Sequence, residues 1–519
     1  MRKTLEIIYT SDVHGHVYPV HYPTGKPEDS GLLNMAAQVK KTGNTLVLDG
    51  GDSLQGTPLI AYYLEHSREY PCHPVAEGFR ALGCDYYTLG NHDFNFGYEV
   101  LKEYMAAMEG SCICANLLDI RGELEVFPTA VHVLEDGLRV GITGVVTDFV
   151  NIWEQPQNLA GLRVTDPFEA AKSAYEQLKK VSDIWICIYH GGFEADLKTG
   201  ELLSDSRENI ACRLARETDF HLLLTGHQHM PVEGITLYGT YAVQPPADAG
   251  SFIRINLEYG TGGEGTKQSG DKDNIAVRIT SSIEKVGSRH EAEPYNRLLP
   301  MEQDAQRWLD LPVGRLLDPI LPEQKLEAAL YGSRLANLFN QVQSDATGAD
   351  FSCTSLGNSC IGLAAEVSMR EISGAYQFAN TLVVLEVDQK VIRTCLERCA
   401  AYLTLKNGQP RISDEFLKPK IEHYNYDFYA GICYEFDLNR PVGQRVTRLT
   451  LPDGSPLADR KYRLVTSNYR ATGTGGYDAL RRCPVLWRGV AEVPDLVAAY
   501  IRQHSPLSVI TESGIMVRW

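Results

Sequence analysis

At 519 residues the chain exceeds what one hydrophobic core usually organises, so two sizeable domains are expected. Hydrophobic residues make up 44% of it, which fits globular folding, while a formal net charge of -17 argues against a binder of nucleic-acid backbones, which needs a basic face to displace counterions. No stretch approaches the roughly 18 apolar residues that span a bilayer, so neither a nucleic-acid polymer nor a membrane is an expected partner.

The first residues run from Met1 straight into a strand pattern by Tyr9, with no apolar signal-peptide core or small-residue cleavage site. The 12 cysteines include Cys112 and Cys114 in a C-x-C and Cys395 with Cys399 at helical spacing, but no paired C-x-x-C. The expectation is free thiols and a cytoplasmic location. From residue 5 to about 255, short β-branched or aromatic runs alternate with helical patterns, the signature of an α/β fold. Strands are predicted at 5–10, 45–48, 86–89, 184–189 and 221–225, each followed at once by a polar cluster of Gly, Asp, His or Asn. The Gly- and Lys-rich stretch 259–274 reads as a hairpin excursion between two strands. A helical pattern bounded by prolines at 293–311 is expected to connect the domains and to act as a hinge, and a second α/β pattern follows. The predicted division is 1–292, a linker at 293–311, and 312–519.

The polar clusters at the predicted strand ends are Asp12-Val13-His14-Gly15, Gly50-Gly51-Asp52, Gly90-Asn91-His92-Asp93, His190-Gly191-Gly192 and Gly226-His227-Gln228-His229. Loops at the carboxyl ends of strands converge, and carboxylates with imidazoles on tight glycine turns suit a pair of divalent cations. Two ions about 3.5 to 4 Å apart need a bridging carboxylate; Asp52 is the candidate. Each motif alone is weak, because turns favour Asp and Gly and surface histidines are common. Their joint occurrence is what carries the reading.

With these motifs the chain resembles the calcineurin-like metallophosphoesterases, and more narrowly the family of 5'-nucleotidases and 2',3'-cyclic-nucleotide phosphodiesterases, over nearly its whole length. The resemblance implies a four-layer αββα sandwich followed by a C-terminal α/β substrate domain of the 5'-nucleotidase type. It implies Asp12, His14, Asp52 and His229 around one metal, and Asp52, Asn91, His190 and His227 around the other. Histidine at 229, where some relatives have Gln, favours Mn, Zn, Co or Fe over Mg. His92 and Asn91 carry the catalytic motif, His92 stabilising the transition state and assisting the leaving oxygen, with Asp93 and Asn95 standing behind them. Simple 5'-nucleotidases read G-N-H-E-F-D, the last Asp orienting the catalytic histidine; here Asn95 stands in that place, a form resembling the cyclic phosphodiesterase branch.

The C-terminal half carries a second set of matches. Tyr424-Asn425-Tyr426-Asp427 and Asn468-Tyr469-Arg470-Ala471 continue to Tyr477, and both forms look like the cyclic branch. In the family two aromatic side chains from these stretches clamp the base. Tyr426 and Tyr477 match best, with Tyr424 the alternative to the first and Asn358 a further substrate contact. The N-x-G-G-x-R stretch of 5'-nucleotidases is broken, since Asn358 leads into Ser359-Cys360-Ile361-Gly362-Leu363 and the anion-gripping Arg is missing. The expected substrate is therefore a small-molecule nucleotide. Two cations lower the pKa of a shared water, whose hydroxide opens a 2',3'-cyclic phosphodiester to the 3'-nucleotide, with removal of the 3'-phosphate as a further step. A 5'-nucleotidase or UDP-sugar hydrolase is the alternative within the class, and a nucleotide sensor without turnover the alternative outside it. His16, close to His14, and Asn116 and Asp148, after apolar runs, are noted as neighbours of the site but not as ligands.

Overall fold

The computed structural model describes residues 3–202, 207–261, 275–359, 361–378, 380–418 and 420–519. They divide into two compact units, one holding 1–21 and 25–305, the other 22–24 and 306–519. The division falls inside the helix Ala292–Leu309, within the predicted 293–311 connector.

The first unit contains a seven-stranded and a six-stranded sheet. In the first sheet the strand Lys3–Thr10 lies between Thr45–Asp49, parallel to it, and Ser251–Thr261, antiparallel to it. In the second, Arg139–Val146, Ile184–His190 and Leu222–Thr225 run parallel. Ile184–His190 is buried along its whole length, and the alternation of a strand assigns its two faces. Ile184, Ile186 and Ile188 join Leu5, Ile7, Leu46 and Leu48 of the first sheet in one core, which therefore lies between the sheets. Trp185, Cys187 and Tyr189 join Phe168 and Tyr175 of the helix Pro167–Leu178 and Leu214 of the helix Ala211–Glu217 in another. The opposite outer face is covered in turn, as Tyr104 of the helix Gly97–Ala107 meets Tyr87 of the first sheet at 6.0 Å. This is the expected αββα sandwich. Helix starts are set locally: Asp166 accepts from the Phe168 and Glu169 N–H groups, and Pro167 occupies the first turn, where no N–H is needed. Ser251–Thr261 pairs with Ile275–Lys285 as the two arms of a hairpin, while most of the 259–274 excursion lies outside the described residues.

The second unit is built on a five-stranded mixed sheet in the order Asp427–Ala430, Phe351–Ser355, Tyr462–Ser467, Thr381–Val387, Val485–Glu492. The helices Arg334–Thr347, Gln389–Ala401 and Val493–Gln503 contribute to its own separate core. Asn340 ties the first of these helices to the sheet, donating to the Phe428 carbonyl at 3.0 Å and accepting from Ser352 Oγ at 2.7 Å.

Candidate metal centre

Five strand ends of the first unit deliver the polar clusters to one place, from both sheets. His190 is the last residue of its strand, Asp12 and Asp52 follow Lys3–Thr10 and Thr45–Asp49, Asn91 follows Tyr86–Tyr87, and His227 follows Leu222–Thr225. Ligand atoms of Asp12, His14 and His229 lie within 4.8 Å of one another, and so do those of Asp52, His190 and His227. Asp52 faces both groups: its Oδ2 is 3.2 Å from His190 Nε2 and 4.0 Å from His14 Nε2. Asn91 Oδ1 lies 3.2 Å from His190 Nε2. The seven residues expected to hold metal thus stand together.

The backbone bears the cost of this convergence. Asp12, His14, Asp52, His227 and His229 have φ of 55°, 47°, 57°, 70° and 54°. Such left-handed geometry strains a residue with a side chain by about 1 to 3 kcal/mol, and clustered strain of this kind marks functional loops. Glycine is required beside them. Gly51 has φ 88° and, with a Cβ, would collide with the backbone of Gly90, whose own Cβ would strike the Asp52 carboxylate. The Gly50-Gly51-Asp52 and Gly90-Asn91-His92 loops therefore close on one another. Asp93 locks the pair, its carboxylate accepting the N–H groups of Asp52, Ser53, Leu54 and Gly90 at 2.8 to 2.9 Å. The Asp52 Oδ1 atom accepts the His92 N–H at 2.7 Å.

The donor set fits cations on its chemistry. His190 Nδ1 donates to the Gly50 carbonyl at 2.7 Å, which leaves Nε2 a lone pair aimed at the Asp52 and Asn91 oxygens. Three acceptors pointed at one spot need a positive charge between them. Without a cation a proton takes that place: burial opposes the charged ring, yet the Asp52 carboxylate outweighs it and His190 is pushed up to about 10. His14 behaves oppositely, since burial and the adjacent His229 push it down to about 4. Its Nδ1 lies 3.0 Å from the Gln55 carbonyl, so its Nε2 is the ligand atom.

Several supports were not marked by any motif. Glu208 Oε1 meets His227 Nε2 at 3.0 Å, and Trp153 stacks on the same ring at 5.3 Å. His92 Nδ1 meets Asn95 Oδ1 at 2.8 Å, and Asn95 in turn donates to Glu154 at 2.7 Å. Neither glutamate lies in a patterned run, so residue spacing carried no sign of them. His16 Nε2 is 3.8 Å from the Asp248 carboxylate. Asn116 is a buried clip, its amide bonded to the Val146 N–H and to the Val146 and Thr165 carbonyls, and Asp148 is half-buried.

The second unit corrects the expected base clamp. Tyr426 and Tyr477 are 2% and 1% exposed and belong to the core, with hydroxyls donating to the Ala329 and Asn425 carbonyls. Neither ring face is open to a base. Tyr424, the alternative, is half-buried, with Phe378 edge-on at 6.1 Å. Tyr469 is half-buried too, and after burial its phenol is the largest influence raising the Tyr424 hydroxyl pKa. Asn358 is exposed, its amide donating to the Ile421 carbonyl and accepting the His423 N–H. The core tyrosines are organised by a buried ion pair, Arg470 with Asp427 at 2.9 Å, whose guanidinium lies 4.1 Å over Tyr477 and donates to the Tyr424 and Thr474 carbonyls.

Comparison with known proteins places both halves. Residues 5–231 match the Calcineurin-like phosphoesterase family and 314–482 the 5'-nucleotidase C-terminal domain. The Trifunctional nucleotide phosphoesterase protein YfkN of Bacillus subtilis is 24% identical over 97% of this chain, which spans only 38% of that protein's length. The 2',3'-cyclic-nucleotide 2'-phosphodiesterase/3'-nucleotidase of Salmonella typhimurium is 23% identical over 90% of this chain and 81% of its own. A crystal structure of a 5'-nucleotidase candidate from Staphylococcus aureus, solved with α-ketoglutarate, is 27% identical and superposes over 100% of both chains with a TM-score of 0.87. Among the described residues no helix is long and apolar enough to cross a membrane. The chain joins a calcineurin-like phosphoesterase domain to a 5'-nucleotidase C-terminal domain and is a hydrolase acting on ester bonds.

Proposed function

We propose that this enzyme hydrolyses nucleotide phosphate esters with two divalent cations, held by Asp12, His14, Asp52 and His229 and by Asp52, Asn91, His190 and His227, and that its preferred substrate is a 2',3'-cyclic nucleotide. The observation that carries the reading is Asp52, whose carboxylate faces both histidine groups at once. When bound, such a pair of cations activates water near neutral pH and neutralises the phosphoryl oxygens. The residues do the rest: Asp93 holds the Asp52 loop rigid, and His92, its ring 5.5 Å from that of His14, serves the leaving oxygen. Tyr424, with Phe378 and Tyr469 nearby, offers the stacking face that Tyr426 and Tyr477 cannot.

Preference for a cyclic diester is supported by the missing arginine after Asn358, by Asn95 in place of a carboxylate, and by the Salmonella relative. The Staphylococcus aureus likeness favours the second reading, a 5'-nucleotidase. The test is phosphate release and product analysis with 2',3'-cyclic AMP, 3'-AMP, 5'-AMP and a UDP-sugar, each with Mn, Zn and Co. The highest kcat/KM on the cyclic diester is expected; a clear preference for 5'-AMP moves the assignment to the second reading.

A further inference from the structure

Behind His92 stands a carboxylate that none of the motifs contains. Asn95 Oδ1 faces His92 Nδ1 at 2.8 Å, and Asn95 Nδ2 donates to Glu154 Oε2 at 2.7 Å. The other Glu154 oxygen accepts from Asn158 Nδ2 at 2.9 Å and from the Gln155 N–H at 2.6 Å. Asn158 also donates to the Asn95 carbonyl at 2.7 Å, so side chain and main chain of Asn95 are gripped together. Glu154 directly follows Trp153, whose indole stacks on His227, so one short segment braces residues on both sides of the centre.

The donor and acceptor inventory makes this chain of bonds directional. An ionised carboxylate only accepts, so the Asn95 edge turned to Glu154 must be its NH₂ and the edge turned to His92 its oxygen. The imidazole nitrogen on that oxygen must then carry hydrogen. We propose that Glu154, acting through Asn95, is a positioning residue that keeps a hydrogen on His92 Nδ1 and turns Nε2 to the reacting ester, so that a second hydrogen carried on Nε2 can pass to the leaving oxygen and leave behind the neutral Nδ1–H ring. The inference rests on the reading of His92 given above. It also answers the missing aspartate of the G-N-H-D-F-N motif: the carboxylate is present but one side chain further out, supplied by a residue 59 positions along the chain.

The experiment uses the full metal-loaded chain with 2',3'-cyclic AMP as substrate, or 5'-AMP should that be turned over faster, since their alkoxide leaving groups need a proton, together with nitrogen-15 spectra of the labelled histidines. Glu154→Gln keeps the shape but offers one oxygen and one NH₂. Asn158 and the Gln155 N–H claim the oxygen, so the NH₂ turns to Asn95, whose amide rotates and presents its own NH₂ to His92. The tautomer then inverts, and a ring whose Nδ1 faces an NH₂ cannot give up its Nε2 hydrogen without becoming an anion. We expect kcat to fall about a hundredfold, with KM and bound metal unchanged and the two His92 nitrogen shifts exchanged. Asn95→Asp alone places two carboxylates in contact and is equally poor, whereas Asn95→Asp combined with Glu154→Gln lets the new carboxylate accept from both ring and amide and restores kcat. The proposal is overturned if Glu154→Gln retains kcat and tautomer, if its loss tracks lost metal or lost folding, or if the double variant is no better than the singles. Should the wild-type chain cleave no phosphate ester, the functional reading fails, while the nitrogen shifts still decide whether Glu154 sets the His92 tautomer.

Discussion

His73 caps the helix Pro74–Leu82, its Nδ1 accepting the Ala76 N–H, and its buried ring packs edge-on against Tyr63 at 4.8 Å. Burial holds its pKa down to about 3 from the ordinary 6.5. The folded chain thus binds this proton later than the unfolded chain does. The contribution is complete above pH 6.5 and is lost as pH falls from there towards 3, at about 1.4 kcal/mol per pH unit. Urea unfolding followed between about pH 4.5 and 7 should show this slope, and His73→Asn, which keeps a cap acceptor but does not titrate, should flatten it by about one proton's worth. At the metal centre, Glu208→Gln removes the carboxylate from His227 Nε2 and is expected to weaken one of two cation affinities about 10- to 100-fold, leaving the other intact in calorimetric titration. Asp52→Ala touches both groups, so metal analysis should show depletion of both ions and kcat should drop by more than about a hundredfold.

At the scale of elements, the strands that end at the metal centre were legible in the sequence because parallel strands buried on both faces must be nearly all apolar, as Ile184–His190 is. Their ends were legible for the complementary reason: Asp, His and Asn immediately after such a run have no core to enter. The aromatic stretches of the second unit offered no such contrast. Asn425 to Phe428 alternates polar and aromatic residues whether the rings pack inward or bind a base, and only tertiary contacts decide. Tyr477 turns inward because Asn425 and Cys399 meet its hydroxyl, with Arg470 on its face. Glu154 and Glu208 escaped for another reason, since a carboxylate that reaches a histidine directly, as Glu208 does, or through an asparagine, as Glu154 does, from another segment of chain leaves no local pattern. The two kinds of tyrosine should separate by experiment. Tyr424→Ala is expected to raise KM by a stacking loss of about 1 to 3 kcal/mol with the melting temperature nearly unchanged. Tyr426→Ala and Tyr477→Ala should cost about 3 to 5 kcal/mol of stability in chemical denaturation, before any effect on KM is considered.

For the whole molecule, the two units have separate cores, and every candidate ligand from Asp12 to His229 belongs to the first. Calorimetry should therefore resolve two transitions. A chelator should lower only the one belonging to the first unit, by about 2.7 kcal/mol for metal held at a hundred times its dissociation constant; a uniform shift of both transitions would show that the units melt together. The ladder of the first sheet has a further consequence for how the enzyme is made. Lys3–Thr10 receives its antiparallel neighbour only from residues 251–261, and Asp12 meets the His227 N–H across 215 positions of chain. A polypeptide that has left the ribosome through His190 already displays Asp12, His14, Asp52, Asn91 and His190, yet lacks His227 and His229, which close the cage. Cofactor capture therefore belongs to the end of synthesis of the first unit, when the whole half is exposed, and any ion met earlier during translation is held by an incomplete set and readily let go.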